Sequence, residues 1–291
     1  MKKEQKILLE YDKEKWVEIP TSPVNTLQPF ITNKCNKRCS GCFYSHKLGT
    51  EEMPFEEYKV IVEKYAGRVG KINLLGGEPT IHPELEKMLD FNRWKGFKTT
   101  IYTNGFDLKR LEKMDMRDVS LRVGVYGSTS SEKPLSEVFR TPLPLYVVYM
   151  LRKDNVSELA ETAEMAERDF NTKSFYISSI RDIEETQDFW KDTPETVSMP
   201  EYAGIVQDFV KNYSGDIQEL HIARRGVLET DQKFDSTYNC RFGNIFPDGE
   251  MITCPLDISR KLTTPELDFN KRPCNKNDEC LLRKIVLRKK A

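Results

Sequence analysis

Between Gln28 and about Arg181, short apolar runs alternate with amphipathic segments, and this alternation restricts the fold more than any other feature of the sequence. Strands buried on both faces read as continuous apolar runs, and parallel neighbours need a long crossover between them, usually a helix. Pro29–Thr32, Lys71–Leu75, Lys98–Tyr102, Ser120–Tyr126, Leu145–Leu151 and Ser174–Ile180 read as strands. Between them, Phe55–Tyr65 sets Tyr58, Ile61, Val62 and Tyr65 on one helical face. Pro83–Trp94 does the same with Leu85, Met88, Leu89 and Phe91, and Val156–Phe170 with Leu159, Ala160, Ala163 and Ala166. Six strands with crossover helices predict an α/β fold, a partial (β/α)6 barrel two strands short of closure. The crossover from Gly127 to Pro144 is short and holds Pro134, Pro142 and Pro144, leaving room for a brief helix near Leu135–Arg140.

The rest of the 291 residues divides around this core. Residues 1–27 are an N-terminal extension, and 28–181 the barrel core. Residues 182–238 are a connector, acidic from 182 to 200, with a helix at Glu201–Asn212 and a strand at Ile217–Ala223. Residues 239–291 read as a small C-terminal domain. In it Phe242–Ile245 and Glu250–Thr253 flank the turn signal Pro247-Asp248-Gly249, and a basic helix at Glu279–Lys289 closes the chain. Forty-five basic and forty-six acidic residues leave a net charge of −1, which gives no electrostatic footprint for nucleic acid or an acidic membrane surface. The longest apolar run, Leu145 to Leu151, is far short of the roughly 18 residues of a membrane span. The start, Met1-Lys2-Lys3-Glu4-Gln5-Lys6, lacks a secretory apolar stretch, so the expected location is the cytosol.

In that compartment the seven cysteines stay reduced, and their grouping points to soft-metal sites. Cys35, Cys39 and Cys42 follow the first strand directly. Three thiolates from one loop can hold three irons of a [4Fe–4S] cube and leave the fourth iron open; a zinc site completed by His46 is the competing reading. The second strand ends in Gly76-Gly77-Glu78-Pro79, where glycines admit close backbone approach and Glu78 offers an anion to a cation. The third ends in Thr103-Asn104-Gly105. Ligands of parallel α/β folds bind at these C-terminal strand ends.

In these three motifs and their order, the chain resembles the radical S-adenosylmethionine (SAM) superfamily, whose signature is C-x3-C-x2-C after the first strand of a partial TIM-type barrel. The resemblance implies that Cys35, Cys39 and Cys42 bind a [4Fe–4S] cluster whose open iron is chelated by SAM. It implies that Gly76, Gly77, Glu78 and Pro79 hold the methionine amine, and that Thr103 and Asn104 make polar contacts to SAM. Arg152, at the end of the fifth strand, is a candidate for the SAM carboxylate, with a solvated strand-end arginine as the alternative. The family usually has an aromatic residue before the third cysteine; Gly41 stands there, and Phe43 is the candidate to cover the adenine instead. The implied reaction is reductive cleavage of SAM to a 5′-deoxyadenosyl radical that abstracts a hydrogen atom, with electrons from an external flavodoxin- or ferredoxin-type donor.

Cys240-x8-Gly249-x4-Cys254, followed by Cys274 and Cys280, resembles the auxiliary-cluster extension called SPASM or its shorter form, twitch. Four thiols suffice for one second, auxiliary [4Fe–4S] cluster; a structural zinc is the alternative. Among the remaining residues, His82 reads as a helix cap or surface group, and Tyr126, Tyr149 and Tyr176 as core. The expected function is hydrogen abstraction from a small molecule (sugar, cyclitol, nucleoside or amino acid), with oxidation through the auxiliary cluster as one outcome. A peptide or a nucleic-acid base is the alternative substrate. An activase for a glycyl-radical enzyme, and a non-catalytic iron–sulfur or zinc redox protein, are the alternatives of other classes.

Overall fold

The computed structural model describes residues 9–19, 24–39, 42–129, 132–170, 172–179, 197–223, 241–252, 265–269 and 284–290. β2 (Thr26–Thr32), β3 (Lys71–Gly76), β4 (Lys98–Thr103), β5 (Val119–Val125), β6 (Leu145–Leu151), β7 (Ser174–Ser179) and β8 (Glu219–Ala223) run parallel, each beside the next in chain order. β9 (Phe242–Ile245) joins the outer edge of β2 in parallel, and β10 (Met251–Ile252) folds back on β9. At the other edge β11 (Lys284–Lys289) pairs antiparallel with β8, and β1 (Trp16–Ile19) with β11. The eleven strands form one mostly parallel sheet.

Helices α1 (Phe55–Tyr65), α2 (Leu85–Trp94), α3 (Leu159–Phe170) and α4 (Met199–Asn212) are the crossovers, and their apolar stripes bury one face of the sheet. Register puts Leu74, Ile101, Leu121 and Leu145 on that face, together with Val147, Phe175 and Leu220. These residues and the helix residues Tyr58, Val62, Met88, Ala163 and Val206 belong to one apolar core. α2 is fixed to the sheet by a buried chain of polar bonds. Tyr58 Oη donates to Asn92 Oδ1 at 2.7 Å, and Asn92 Nδ2 donates to Thr99 Oγ1 at 3.1 Å. The start of α4 is set by Ser198, whose hydroxyl accepts from the Glu201 amide while Glu201 reaches back to the Ser198 amide.

Three expectations change. The basic C-terminal helix is a strand: Lys284–Lys289 alternates buried Ile285 and Leu287 with Lys284 and Arg288, and is paired on both sides. The N-terminal extension contributes β1, anchored by the fully buried Trp16. The predicted helix at Val156–Phe170 starts as a 3-10 turn, Lys153–Glu158, before α3. The hairpin around Gly249 (φ +79°) forms as expected and continues the same sheet. Among the described residues of the Gly127–Pro144 crossover, only the 3-10 turn Leu135–Glu137 forms. Most of the acidic connector lies outside the described residues.

Candidate functional site

β2 ends at Thr32, and the chain then loops out through Cys35, Cys39 and Cys42 and returns at Glu51. The stem of this loop is closed by backbone bonds from the Asn33 amide to Glu51 O, 2.8 Å, and from the Gly49 amide to Asn33 O, 3.0 Å. Behind it lies a small apolar cluster of Phe30, Tyr44, Leu75, Phe246 and Ile252, against which Cys42 packs. Tyr44 stacks on Phe30 at 4.8 Å between ring centres, and its hydroxyl donates to Asn33 Oδ1 at 2.6 Å. The β9–β10 hairpin thus supports the cysteine loop: Phe246 lies beneath Tyr44, and Lys47 Nζ pairs with Glu250 at 2.7 Å. Phe43 takes the other direction, 41% exposed, with its ring edge-on to Phe30.

The three thiols are free and half-buried. Burial pushes all three up, Cys39 to about 11, while the Lys133 ammonium acts the other way on each. The thiols lie close enough to disfavour one another's ionisation, Cys39 feeling Cys42 and Cys35, and Cys42 feeling Cys35. Among the described residues, however, no three His, Cys, Asp or Glu side chains are set to hold a single metal ion. A mononuclear tetrahedral site needs sulfurs about 4 Å apart. Three soft thiol donors on one loop are a donor set that suits an iron–sulfur cluster. His46 packs against Tyr44, and burial lowers its imidazole.

The glycine pair at the end of β3 is explained by what crosses it. Gly76 has φ +147°, and a Cβ there would collide with the Thr32 carbonyl oxygen. A Cβ on Gly77 would collide with the Lys34 carbonyl. In place of side chains there are two bonds, from the Gly77 amide to Thr32 O at 2.7 Å and from the Glu78 amide to Lys34 O at 2.8 Å. The stem of the cysteine loop is therefore docked directly on the glycine motif.

Glu78 is buried, 1% exposed, and its carboxylate gathers the neighbouring strand end. Oε1 accepts from the Thr80 amide (3.0 Å), the Thr80 hydroxyl (2.7 Å) and the Thr103 hydroxyl (2.7 Å), and Oε2 from the Asn104 amide (2.7 Å). The Asn104 side-chain amide in turn donates to Asn36 Oδ1, in the cysteine loop, at 2.7 Å. Thus Glu78, Thr103 and Asn104, read separately from the sequence, form one network with the cysteine loop. Sequence reasoning missed Thr80 and Asn36 as members; their polar character beside the two motifs was the only signal.

Arg152 lies at the end of β6, its guanidinium paired with Asp154 and 5.1 Å from the centre of the Tyr126 ring. Burial, and then the charges of Cys39 and Cys42, push the Tyr126 phenol well above its usual range, so Tyr126 borders the cysteine loop. Of the other tyrosines expected in the core, Tyr149 is fully buried there and donates to Asn155 O, and Tyr176 is buried too, on the face of the sheet away from the helices. His82 is a buried cap rather than a surface group: its Nδ1 accepts from the Glu84 amide at 3.1 Å. Cys240, Cys254, Cys274 and Cys280 lie outside the described residues.

The family model of the Radical SAM superfamily matches residues 30–177, just over half the chain. The chain is 36% identical over 77 residues to an S-adenosylmethionine-dependent nucleotide dehydratase of Selenomonas ruminantium, a match covering 26% of this chain and 28% of that protein. It is 37% identical over 75 residues to a protein of the same description from a Thermoplasmatales archaeon, covering 26% and 27%. The matched stretch thus spans little more than a quarter of the length of these curated relatives. Among solved structures, Streptococcus suis SuiB bound to S-adenosylmethionine superposes with a TM-score of 0.62 at 14% identity, over 80% of this chain and 61% of that one.

Proposed function

The chain belongs to the Radical SAM superfamily, and from that membership we propose that it reductively cleaves S-adenosylmethionine and abstracts a hydrogen atom from a small-molecule substrate. The observation that carries this reading is the Glu78 network, which joins the cysteine loop, the glycine motif and the end of β4 into one rigid floor. Cys35, Cys39 and Cys42 would hold a [4Fe–4S] cluster, and the backbone of Gly76, Gly77 and Pro79 with Glu78 the methionine amine of SAM. When bound, cluster and SAM supply the homolytic chemistry, and the protein supplies placement and exclusion of water.

Glu78 Oε2 accepts from a single donor among the described residues, so it retains capacity for an ammonium N–H. Thr103 and Asn104 fix that oxygen and line the strand end. Phe43, exposed beside the loop, would cover the adenine, and Arg152 would meet the SAM carboxylate by giving up its pairing with Asp154. The raised thiols mean that cluster assembly must displace protons, so loading improves as pH rises. Electrons would come from an external flavodoxin- or ferredoxin-type donor. Cys240, Cys254, Cys274 and Cys280 would hold a second, auxiliary [4Fe–4S] cluster and admit substrate oxidation. No helix among the described residues is long and apolar enough to cross a membrane.

The test is iron, sulfide and zinc per chain after anaerobic reconstitution, with 5′-deoxyadenosine measured after reduction. About eight irons, falling to about four and no 5′-deoxyadenosine in the Cys35/Cys39/Cys42→Ala protein, is the expected result. Wild type that assembles its iron and releases no 5′-deoxyadenosine refutes the reading. About four irons with one retained zinc refutes the auxiliary cluster alone.

A further inference from the structure

The face of the sheet away from the helices is polar in register. Asn73 lies beside Thr100 and Thr100 beside Ser120, Tyr102 beside Arg122, and Tyr176 beside His221. Cations gather there. The Arg122 guanidinium is 4.9 Å from the Tyr102 ring centre and 5.0 Å from that of Tyr176, and it donates to the Tyr102 hydroxyl at 3.1 Å. Lys284 Nζ lies 4.2 Å from the same Tyr176 ring. Lys71 completes the group and lines a cleft of about 320 Å³ at the N-terminal ends of the strands, with Lys98, Thr100, Ser120, Tyr146 and Asp118.

Among the described residues, no carboxylate pairs with Lys71, Arg122 or Lys284. Glu219, on the same face, is engaged by Arg288 and lies 3.4 Å from His221. The charges bearing on Lys284 are instead like charges: burial, then Arg122 and Lys71, push its ammonium well below the usual range. Burial, then Arg122 and Lys98, lower Lys71, and burial, then Lys284, lowers His221 to about 4. Ring faces attract Arg122 and Lys284 and do nothing for the mutual repulsion of the three cations. As packing alone, apolar side chains would serve better.

We propose that Lys71, Arg122 and Lys284 bind the phosphoryl group of an anionic small-molecule substrate, whose other end reaches the strand ends that carry the cysteine loop. Three positive charges with one planar donor fork match a multiply charged phosphoryl group. Arg122 and Tyr126 lie on one face, four residues apart, about 13 Å along the chain. That span fits a phosphorylated molecule of sugar or nucleoside size, and exceeds a bare oxyanion. This inference rests on the proposed radical chemistry for its orientation, and on the cation cluster alone for the binding.

The test is calorimetric titration of the full chain, without clusters, by inorganic pyrophosphate and by citrate at fixed ionic strength. Pyrophosphate binds, and citrate binds about tenfold more weakly or worse, because its carboxylates do not present a phosphoryl geometry. Arg122→Gln and Lys284→Met each weaken pyrophosphate about tenfold or more, while the exposed Lys109→Gln does not. Lys284→Met also raises the melting temperature, since it removes a buried like charge, a result a structural lysine would not give. No pyrophosphate binding up to about 10 mM, or wild-type binding by Arg122→Gln, overturns the inference. Citrate binding as tightly as pyrophosphate overturns the phosphoryl assignment. Absent 5′-deoxyadenosine in reconstituted wild type, with pyrophosphate still bound, faults the radical reading and leaves this one standing.

Discussion

Replacing Glu78 by glutamine keeps the shape of the side chain and removes one acceptor oxygen. In the native chain Oε1 accepts from one backbone N–H, that of Thr80, and Oε2 from another, that of Asn104. The Thr80 and Thr103 hydroxyls also donate to Oε1, but a hydroxyl can turn and accept, whereas a backbone N–H cannot. Whichever way the new amide is placed, its NH2 therefore faces one of the two backbone donors and strands it. A stranded buried donor costs about 1–3 kcal/mol, and the loss of charge assistance in the remaining bonds about 1 more. At about 2–4 °C per kcal/mol for a chain of this size, Glu78→Gln melts about 4–16 °C below wild type. The assay is thermal unfolding followed by far-UV circular dichroism on protein without clusters, so that no cofactor contributes. Thr80→Val, which removes one hydroxyl and leaves every backbone donor served, loses only about 1 kcal/mol. A Glu78→Gln melting temperature equal to wild type would refute the enclosure of this carboxylate, and with it the reading of the network as the floor of the site.

Gly77→Ala drives a Cβ into the Lys34 carbonyl, where backbone cannot yield, so the stem of the cysteine loop separates from β3. Iron incorporated on reconstitution then falls well below wild type while the far-UV spectrum is retained; full incorporation would contradict the docking. For His221, burial lowers the imidazole from 6.5 to about 4, so between those values the unfolded chain binds a proton that the folded chain refuses. Stability therefore falls as pH drops from about 6.5 toward 4, by about 2 kcal/mol down to pH 5. Urea unfolding of His221→Gln shows a correspondingly flatter pH profile, and an unchanged slope would place the titration elsewhere.

How much of this was legible in the sequence depended on which periodicity was available. The helix at Phe55–Tyr65 was fully specified because Tyr58, Ile61, Val62 and Tyr65 repeat at helical spacing and all four are buried. The C-terminal segment carried two periods at once: Leu281, Leu282, Ile285 and Val286 suit a helix, while Ile285 and Leu287 alternate as in a strand. Pairing with β8 and β1 decided for the strand, and no local pattern announces such partners. The cysteines and the glycine motif could be found because their spacing is chemical. Glu78 could be named as an anion, but not as the acceptor for Thr103 and Asn104, since those bonds depend on the relative height of two strand ends. Arg122 was missed although its strand offers a signal: Ser120, Arg122 and Gly124 alternate with buried Leu121, Val123 and Val125, which marks a polar face inside a sheet. Tyr176 was assigned to the core because aromatic burial is the common outcome, and its neighbours Arg122 and Lys284 arrive from strands distant in sequence.

The two faces of the sheet consequently do different work at different energetic cost. The helix-covered face packs apolar side chains from strands and crossovers into one continuous core, and burial there favours folding at about 25 cal/mol per Å² of apolar surface. The opposite face holds Lys71, Arg122 and Lys284, none of them paired with a described carboxylate, an arrangement that opposes folding in the absence of ligand. Only the core offsets that repulsion, so the empty protein is less stable than its apolar packing alone would make it. An anion bound among these cations removes the repulsion and adds the attraction, and by linkage it stabilises the fold by RT ln(1 + [L]/Kd). Pyrophosphate should therefore raise the melting temperature of wild type progressively with concentration, and raise that of Arg122→Gln distinctly less over the same range. A wild-type melting temperature independent of pyrophosphate would mean that the repulsion on this face is relieved by the protein itself.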